Sequence, residues 1–154
     1  MSRKSSGNGH WKNPSKIQLD PDNSFGFVYL IVNLESGQRY IGKKQYHKYS
    51  KGKRLAPSDW RSYTSSSRYV NDDIRRQGKQ IFHFEILAEF ESRSGLTYAE
   101  TNLQHVCNVL TEVNAEGDRL FYNQFIDKIR FIPQEYLTED QRKKVVRRVL
   151  KDFH

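Results

Sequence analysis

Cysteine is almost absent from this chain. Cys107 stands alone among 154 residues, so neither an internal disulfide framework nor a cysteine-based zinc site can form. The five histidines show no metal-ligand spacing. No run approaches the roughly 20 apolar residues that a membrane span needs, and the first residues lack the apolar centre of a signal peptide. Hydrophobic residues are only 36% of the chain, enough for one modest core with tails. These absences lead us to expect a soluble, cytoplasmic protein.

What is abundant is positive charge and aromatic surface. The formal net charge is +8 and aromatics reach 13%. A polyanionic partner, most simply nucleic acid, follows from that balance. Between Arg39 and Arg61, eight Lys and Arg residues face one acid, Asp59. Lys43, Lys44, His47, Lys48, Lys51, Lys53, Arg54 and Trp60 in this stretch are candidate nucleic-acid contacts, with Tyr46 and Tyr49 interleaved. The alternative is a solvated basic loop.

Patterning gives the order β-β-α-β-α-loop-α. Residues 1–23 are polar and basic and read as a disordered arm. Residues 25–32 form an apolar strand, 33–37 a turn and 38–45 the return strand. Residues 46–64 read as a long basic loop. Serines 65–67 cap a helix that stops at Gly78. Residues 81–90 form a third strand, with Phe82, Phe84, Ile86 and Ala88 on one face. A helix over about 95–113 follows. Thr138 and Gln141 fit a capping box for a last helix that buries Val146, Val149, Leu150 and Phe153. Its basic side offers Arg147 and Arg148 to nucleic acid. The expected fold is α+β: a small three-stranded antiparallel sheet flanked by helices, divided as 1–23, 24–130 and 131–154.

Glu100 is out of place. It falls on the apolar stripe of Leu96, Ala99, Leu103 and Cys107. A glutamate is rarely buried unless it is paired or ligating. It could instead close a capping box with Thr97, which a helix starting earlier would exclude.

Phe27-Val28-Tyr29, ten residues, then Tyr40-Ile41-Gly42 resembles the two-part signature of the GIY-YIG endonucleases. Phe27 stands where the family's first glycine usually does, with Gly26 adjacent. Downstream, a basic loop with Arg61 and Tyr63, a helix closed by Gly78, a strand from Phe82, Glu100 on the next helix, and Tyr122-Asn123 continue the resemblance over residues 25–125. It implies a metal-dependent DNA endonuclease. Glu100 would hold one Mg²⁺ or Mn²⁺ ion. Tyr29 would be the general base, oriented by Tyr40, and Arg61 would grip the phosphate, with Arg54 as second choice. Ser65 stands near the family's usual histidine, leaving Tyr63 or His47 to substitute. Asn123 would position Glu100 or nearby backbone. Lys44 would lie across the hairpin from Tyr29 and favour its phenolate. The partner would be double-stranded or branched DNA, and the setting phage-type, with the protein a monomer or homodimer. The competing readings are a non-catalytic nucleic-acid-binding domain on the same fold and a basic adaptor for an acidic protein.

Overall fold

The computed structural model describes residues 7–153. Its centre is the strand β1 (Gly26–Asn33), all eight of whose residues are buried. It pairs antiparallel with β2 (Arg39–Gln45) on one side and β5 (Phe82–Phe90) on the other. Between them in sequence lie β3 (His47–Ser50), β4 (Lys53–Pro57) and helix α1 (Arg68–Gln77). Helices α2 (Arg93–Val106) and α3 (Glu139–Val149) follow β5. The fold is α+β with a three-stranded antiparallel sheet, as expected. Among the described residues, no helix is long and apolar enough to cross a membrane.

β1 reads as an unbroken apolar run because both faces of the sheet are covered. Phe27, Tyr29 and Ile31 point into an aromatic core with Trp11, Tyr46, Trp60, Phe84 and Tyr122. Val28, Leu30 and Val32 point into an aliphatic core with Leu96, Leu103, Phe121 and Val149. A bulge shifts the β1–β5 register between Val28 and Tyr29. Ala88 therefore joins the aliphatic core while Phe82, Phe84 and Ile86 stay in the aromatic one. The expectation that all four share a face fails at that extra residue.

Three further expectations are corrected. The arm is not disordered over residues 7–23. Trp11 is 4% exposed and donates from its indole to the Trp60 carbonyl at 2.6 Å. The backbone at Lys12 bonds to both Phe84 and Ile86, so the arm lies along β5. Residues 1–6 lie outside the described residues. The basic loop contains a second hairpin, β3–β4. Helix α2 ends at Val106, where Cys107 caps it and Asn108 turns left-handed at φ +53°, short of the expected Val113.

The last helix starts with the expected capping box, Thr138 and Gln141 bonding reciprocally. Its buried face is Val145 and Val149, whereas Leu150 is exposed. Arg148 is not free for DNA. Its guanidinium makes two bonds of 2.7 and 2.6 Å to Glu85, whose side chain is fully buried and also meets His83. Arg39 is likewise structural: 4% exposed, it donates to the Val149 and Lys151 carbonyls at the end of α3.

Burial pushes the Glu85 carboxyl up, but Arg148 and His83 more than offset this and hold it below its ordinary value. Its contribution to stability is present above the unfolded carboxylate value and is lost as pH falls through the lower folded value. Arg148→Ala leaves the carboxylate without its fork. We expect a loss of about 2–3 kcal/mol, less than for a fully buried pair because Arg148 is partly exposed. Thermal denaturation should show a drop in Tm of roughly 5–10 °C at neutral pH, and a much smaller one at acid pH.

Candidate active site

β2 is an edge strand, and a cleft of about 600 Å³ opens across it. Tyr29, Tyr40, Lys44 and Tyr63 come to it from the aromatic side, Lys43 and Glu100 from the aliphatic side. β2 holds its place because its outer edge is sealed. Asn123, 2% exposed, accepts from the Ile41 amide at 3.2 Å and donates to the Ile41 carbonyl at 2.9 Å. Gln104 donates to the same carbonyl. The Asn123 amide replaces the neighbouring strand that an edge lacks.

The register places Tyr29 across from Gly42, while Lys44 faces Phe27. The expected Tyr29–Lys44 pairing is therefore two residues off, because the turn centres between Glu35 and Ser36, one residue before the expected Ser36–Gly37. Instead the Tyr29 ring lies over Gly42, in the space a side chain there would fill. The Tyr29 ring centroid is 6.2 Å from those of both Tyr40 and Tyr63. Lys44 Nζ sits 3.9 Å over the Tyr63 ring and pairs with Asp59 at 2.9 Å.

The electrostatics run against a ready phenolate. Burial, then the neighbouring Tyr40, Tyr63 and Glu100, push the Tyr29 phenol well above its ordinary value, with Ser65 opposing. Burial pushes Tyr40 up to about 12, with a hydrogen bond from Ser66 partly offsetting it. Tyr63 is raised for the same reasons. The expected cation at Tyr29 is spent on Tyr63 and Asp59.

Glu100 is 8% exposed and lies two turns into α2. Ser92 caps that helix by accepting from the Gly95 amide, which removes the Thr97 capping box as an explanation for Glu100. Burial raises the Glu100 carboxyl; Lys43 opposes this, and Asp127 adds to it. Lys43 Nζ stands 3.2 Å from Glu100 Oε1.

Of the residues expected at the site, the cleft gathers Tyr29, Tyr40, Lys43, Lys44, His47, Lys48, Tyr63, Glu100 and Asn123. Others fall elsewhere. Arg61 lies outside the cleft, exposed, donating to the Gly7 carbonyl and stacked 4.4 Å over Trp60. Trp60 is 1% exposed in the aromatic core and offers DNA nothing. Arg54 is held by the His47 ring at 2.6 Å, and Lys51 and Lys53 are on the β3–β4 hairpin beyond the cleft wall. Arg147, like Arg148, is on α3 and does not line the cleft.

The cleft also holds residues the sequence did not single out: Arg68, Asp127, Gln104 and the exposed aromatics Tyr69 and Phe125. Arg68 was detectable. It opens α1 directly after the Ser67 cap, in a first turn with no acid. A cation is unfavourable at that end of a helix dipole, so an arginine there needs another reason.

A family model described as "Putative endonuclease segE, GIY-YIG domain" matches residues 10–126. The chain belongs to the GIY-YIG endonuclease family. The match begins beside Trp11, so it takes in the packed arm. No curated protein and no solved structure matches the chain. The family is one of nucleases that act on DNA and generally use a divalent metal.

Proposed function

We propose that this protein is a metal-dependent DNA endonuclease that hydrolyses phosphodiester bonds in the cleft across β2. The observation that carries this reading is a single buried carboxylate, Glu100, facing two tyrosines on a sheet edge otherwise lined by Lys43, Lys44, Lys48 and Arg68. A DNA backbone is drawn to such a cleft, and the buried Glu100, with Asp59 and Asp127 on the same lining, would repel phosphate unless a cation bridged them.

The donor set suits a hard cation. Among the described residues, no group of three or more His, Cys, Asp or Glu could hold an ion. Glu100, with Asp127 lining the same cleft, leaves most positions to water and phosphate, as Mg²⁺ or Mn²⁺ permits. The Lys43 ammonium against Glu100 is a cation already standing there. A divalent ion at Glu100 would relieve charge on the phosphate and on the departing 3′ oxygen.

The chain's own groups do the rest. Arg68 takes the role first assigned to Arg61, its planar fork gripping the scissile phosphate. Tyr29 orients the attacking water and, through its small phenolate fraction, accepts the water's proton to become the phenol, while Tyr40 holds Tyr29 in place. Asn123 fixes the strand that carries Tyr40. Nicking of supercoiled plasmid with Mg²⁺ or Mn²⁺, abolished by EDTA, is the expected result. An inert protein that still binds DNA would leave the non-catalytic reading, in which Lys43–Glu100 is only a structural pair.

Arg68→Ala should lower the nicking rate about 100-fold or more, as loss of one transition-state donor does. Arg61→Ala should change it less than about threefold. The reverse ranking would return the role to Arg61.

The pH profile tests Tyr29. Its phenol is raised, so below that value the phenolate fraction grows tenfold per pH unit. Single-turnover rates should climb at about that slope from pH 7 to 9 without a plateau. A flat profile would make Tyr29 an orienting donor and not the base.

A further inference from the structure

The β3–β4 hairpin takes little part in either core. All five residues of β4 are exposed, so neither of its faces is packed. Leu55 is 51% exposed. The hairpin turns through Lys51 and Gly52, both left-handed at φ +52° and +78°. Two positive values in a two-residue loop make a type I′ turn, whose twist matches that of the strands it joins. No acid lies between Tyr46 and Ser58, while Lys48, Lys51, Lys53 and Arg54 do.

The base of this ribbon is fixed to the cleft. Ser58 donates from its amide to Tyr46 and from its hydroxyl to Gln45. The Tyr49 ring lies 5.2 Å from Phe25, with the Arg93 guanidinium over both. His47, Lys48 and Ser58 line the cleft wall itself. A cationic projection beginning at a phosphate-cutting cleft must meet the DNA that enters it.

Shape decides how. Two strands lie about 4.8 Å apart, and with side chains they fill a groove of about 12 Å, the width of the B-DNA major groove. The minor groove, at about 6 Å, is too narrow. We propose, on the basis of the DNA-cleaving reading, that the β3–β4 ribbon docks in the major groove of duplex DNA beside the scissile phosphate. At about 3.3 Å per residue its five-residue strand spans roughly 17 Å, or about five base pairs. Lys51 and Lys53 meet the flanking phosphates, and Leu55 faces base edges. The partner is therefore duplex on at least one side of the cut.

The test measures binding in EDTA, so it does not depend on cleavage. Anisotropy is read on a 24-base-pair duplex and on the same duplex with bulky substituents on pyrimidine C5, which project into the major groove. Wild type should bind the blocked duplex at least tenfold more weakly. Lys51→Ala/Lys53→Ala, altered only at exposed positions, should bind both duplexes more weakly, with a salt slope lower by about 2. Equal binding of both duplexes by wild type would overturn the docking, as would a double variant with unchanged affinity and salt slope. Either result together with metal-dependent nicking would leave the nuclease reading intact. Discrimination without nicking would uphold the docking and sink the nuclease. A wild type that binds no duplex would overturn both.

Discussion

Glu100→Gln should abolish metal-dependent nicking, by about 1,000-fold or more, while leaving the fold and DNA affinity in place. The substitution keeps the shape and removes the charge. If Glu100 holds the divalent ion, its loss removes charge relief at both the phosphate and the leaving oxygen, each worth several kcal/mol of barrier. DNA affinity in EDTA should stay the same or rise, because an anion has left a phosphate-binding cleft. Stability moves opposite to intuition about broken ion pairs. Burial raises the Glu100 carboxyl above its unfolded value despite Lys43, so stability falls as pH rises from the unfolded value and the loss is complete above the raised one. Lys43 keeps solvent, its side chain being 34% exposed, and is not stranded. Glu100→Gln should therefore melt at the same temperature as wild type or slightly higher at pH 7, and equal to it below about pH 4. Plasmid nicking, anisotropy and thermal melts separate the three effects. A variant that nicks normally would reduce Glu100 to a structural residue. One that unfolds would show the Lys43 pair to be holding α2 on β2.

How much of this could be read from the sequence depended on whether a residue's role is local. The place of Glu100 on the cleft was legible because helix periodicity is a local property, and that of Tyr29 and Tyr40 through the two-part signature that their short motifs resemble. The caps at Ser67 and Thr138 were legible because a cap too is local. That Arg68 lines the cleft and Arg61 does not was hidden. Both flank the cleft in sequence, and the difference is made by Trp60, which anchors the preceding turn in the aromatic core and turns Arg61 toward Gly7. Trp60 was itself misjudged, because an aromatic in a basic loop suits either a base or a core. Only the packing of Trp11 and Phe27 around it decides. The arm had no periodicity to announce its course along β5. Arg148 looked like one basic residue among many until Glu85, 63 positions earlier, was found buried beneath it. These are long-range choices, and composition is silent on them.

Gly42→Ala should damage the site far more than the addition of one methyl group ordinarily does. A Cβ at residue 42 would overlap the Tyr29 hydroxyl and come within 2.8 Å of Tyr40 Cε2. Neither ring can yield freely. Tyr29 is 1% exposed and wedged against Trp11 and Tyr63; Tyr40 is tied to β2, whose edge Asn123 has sealed. Alanine in a strand ordinarily gains about 0.5–1 kcal/mol over glycine. Here overpacking should reverse that and cost about 1–3 kcal/mol net, a Tm lower by roughly 2–10 °C. The effect on cleavage should be larger than stability alone allows. Pushing the rings apart by even 1 Å misplaces the water they orient, worth about 100-fold in rate. Tyr29→Phe in the same chain removes the atom most in conflict. It should recover part of the lost stability and none of the activity, a positive coupling in melts and none in kinetics. If the single variant instead cuts at the wild-type rate with an unchanged melt, the close approach of Tyr29 to Gly42 is not what shapes the site. The glycine would then serve only the strand's backbone.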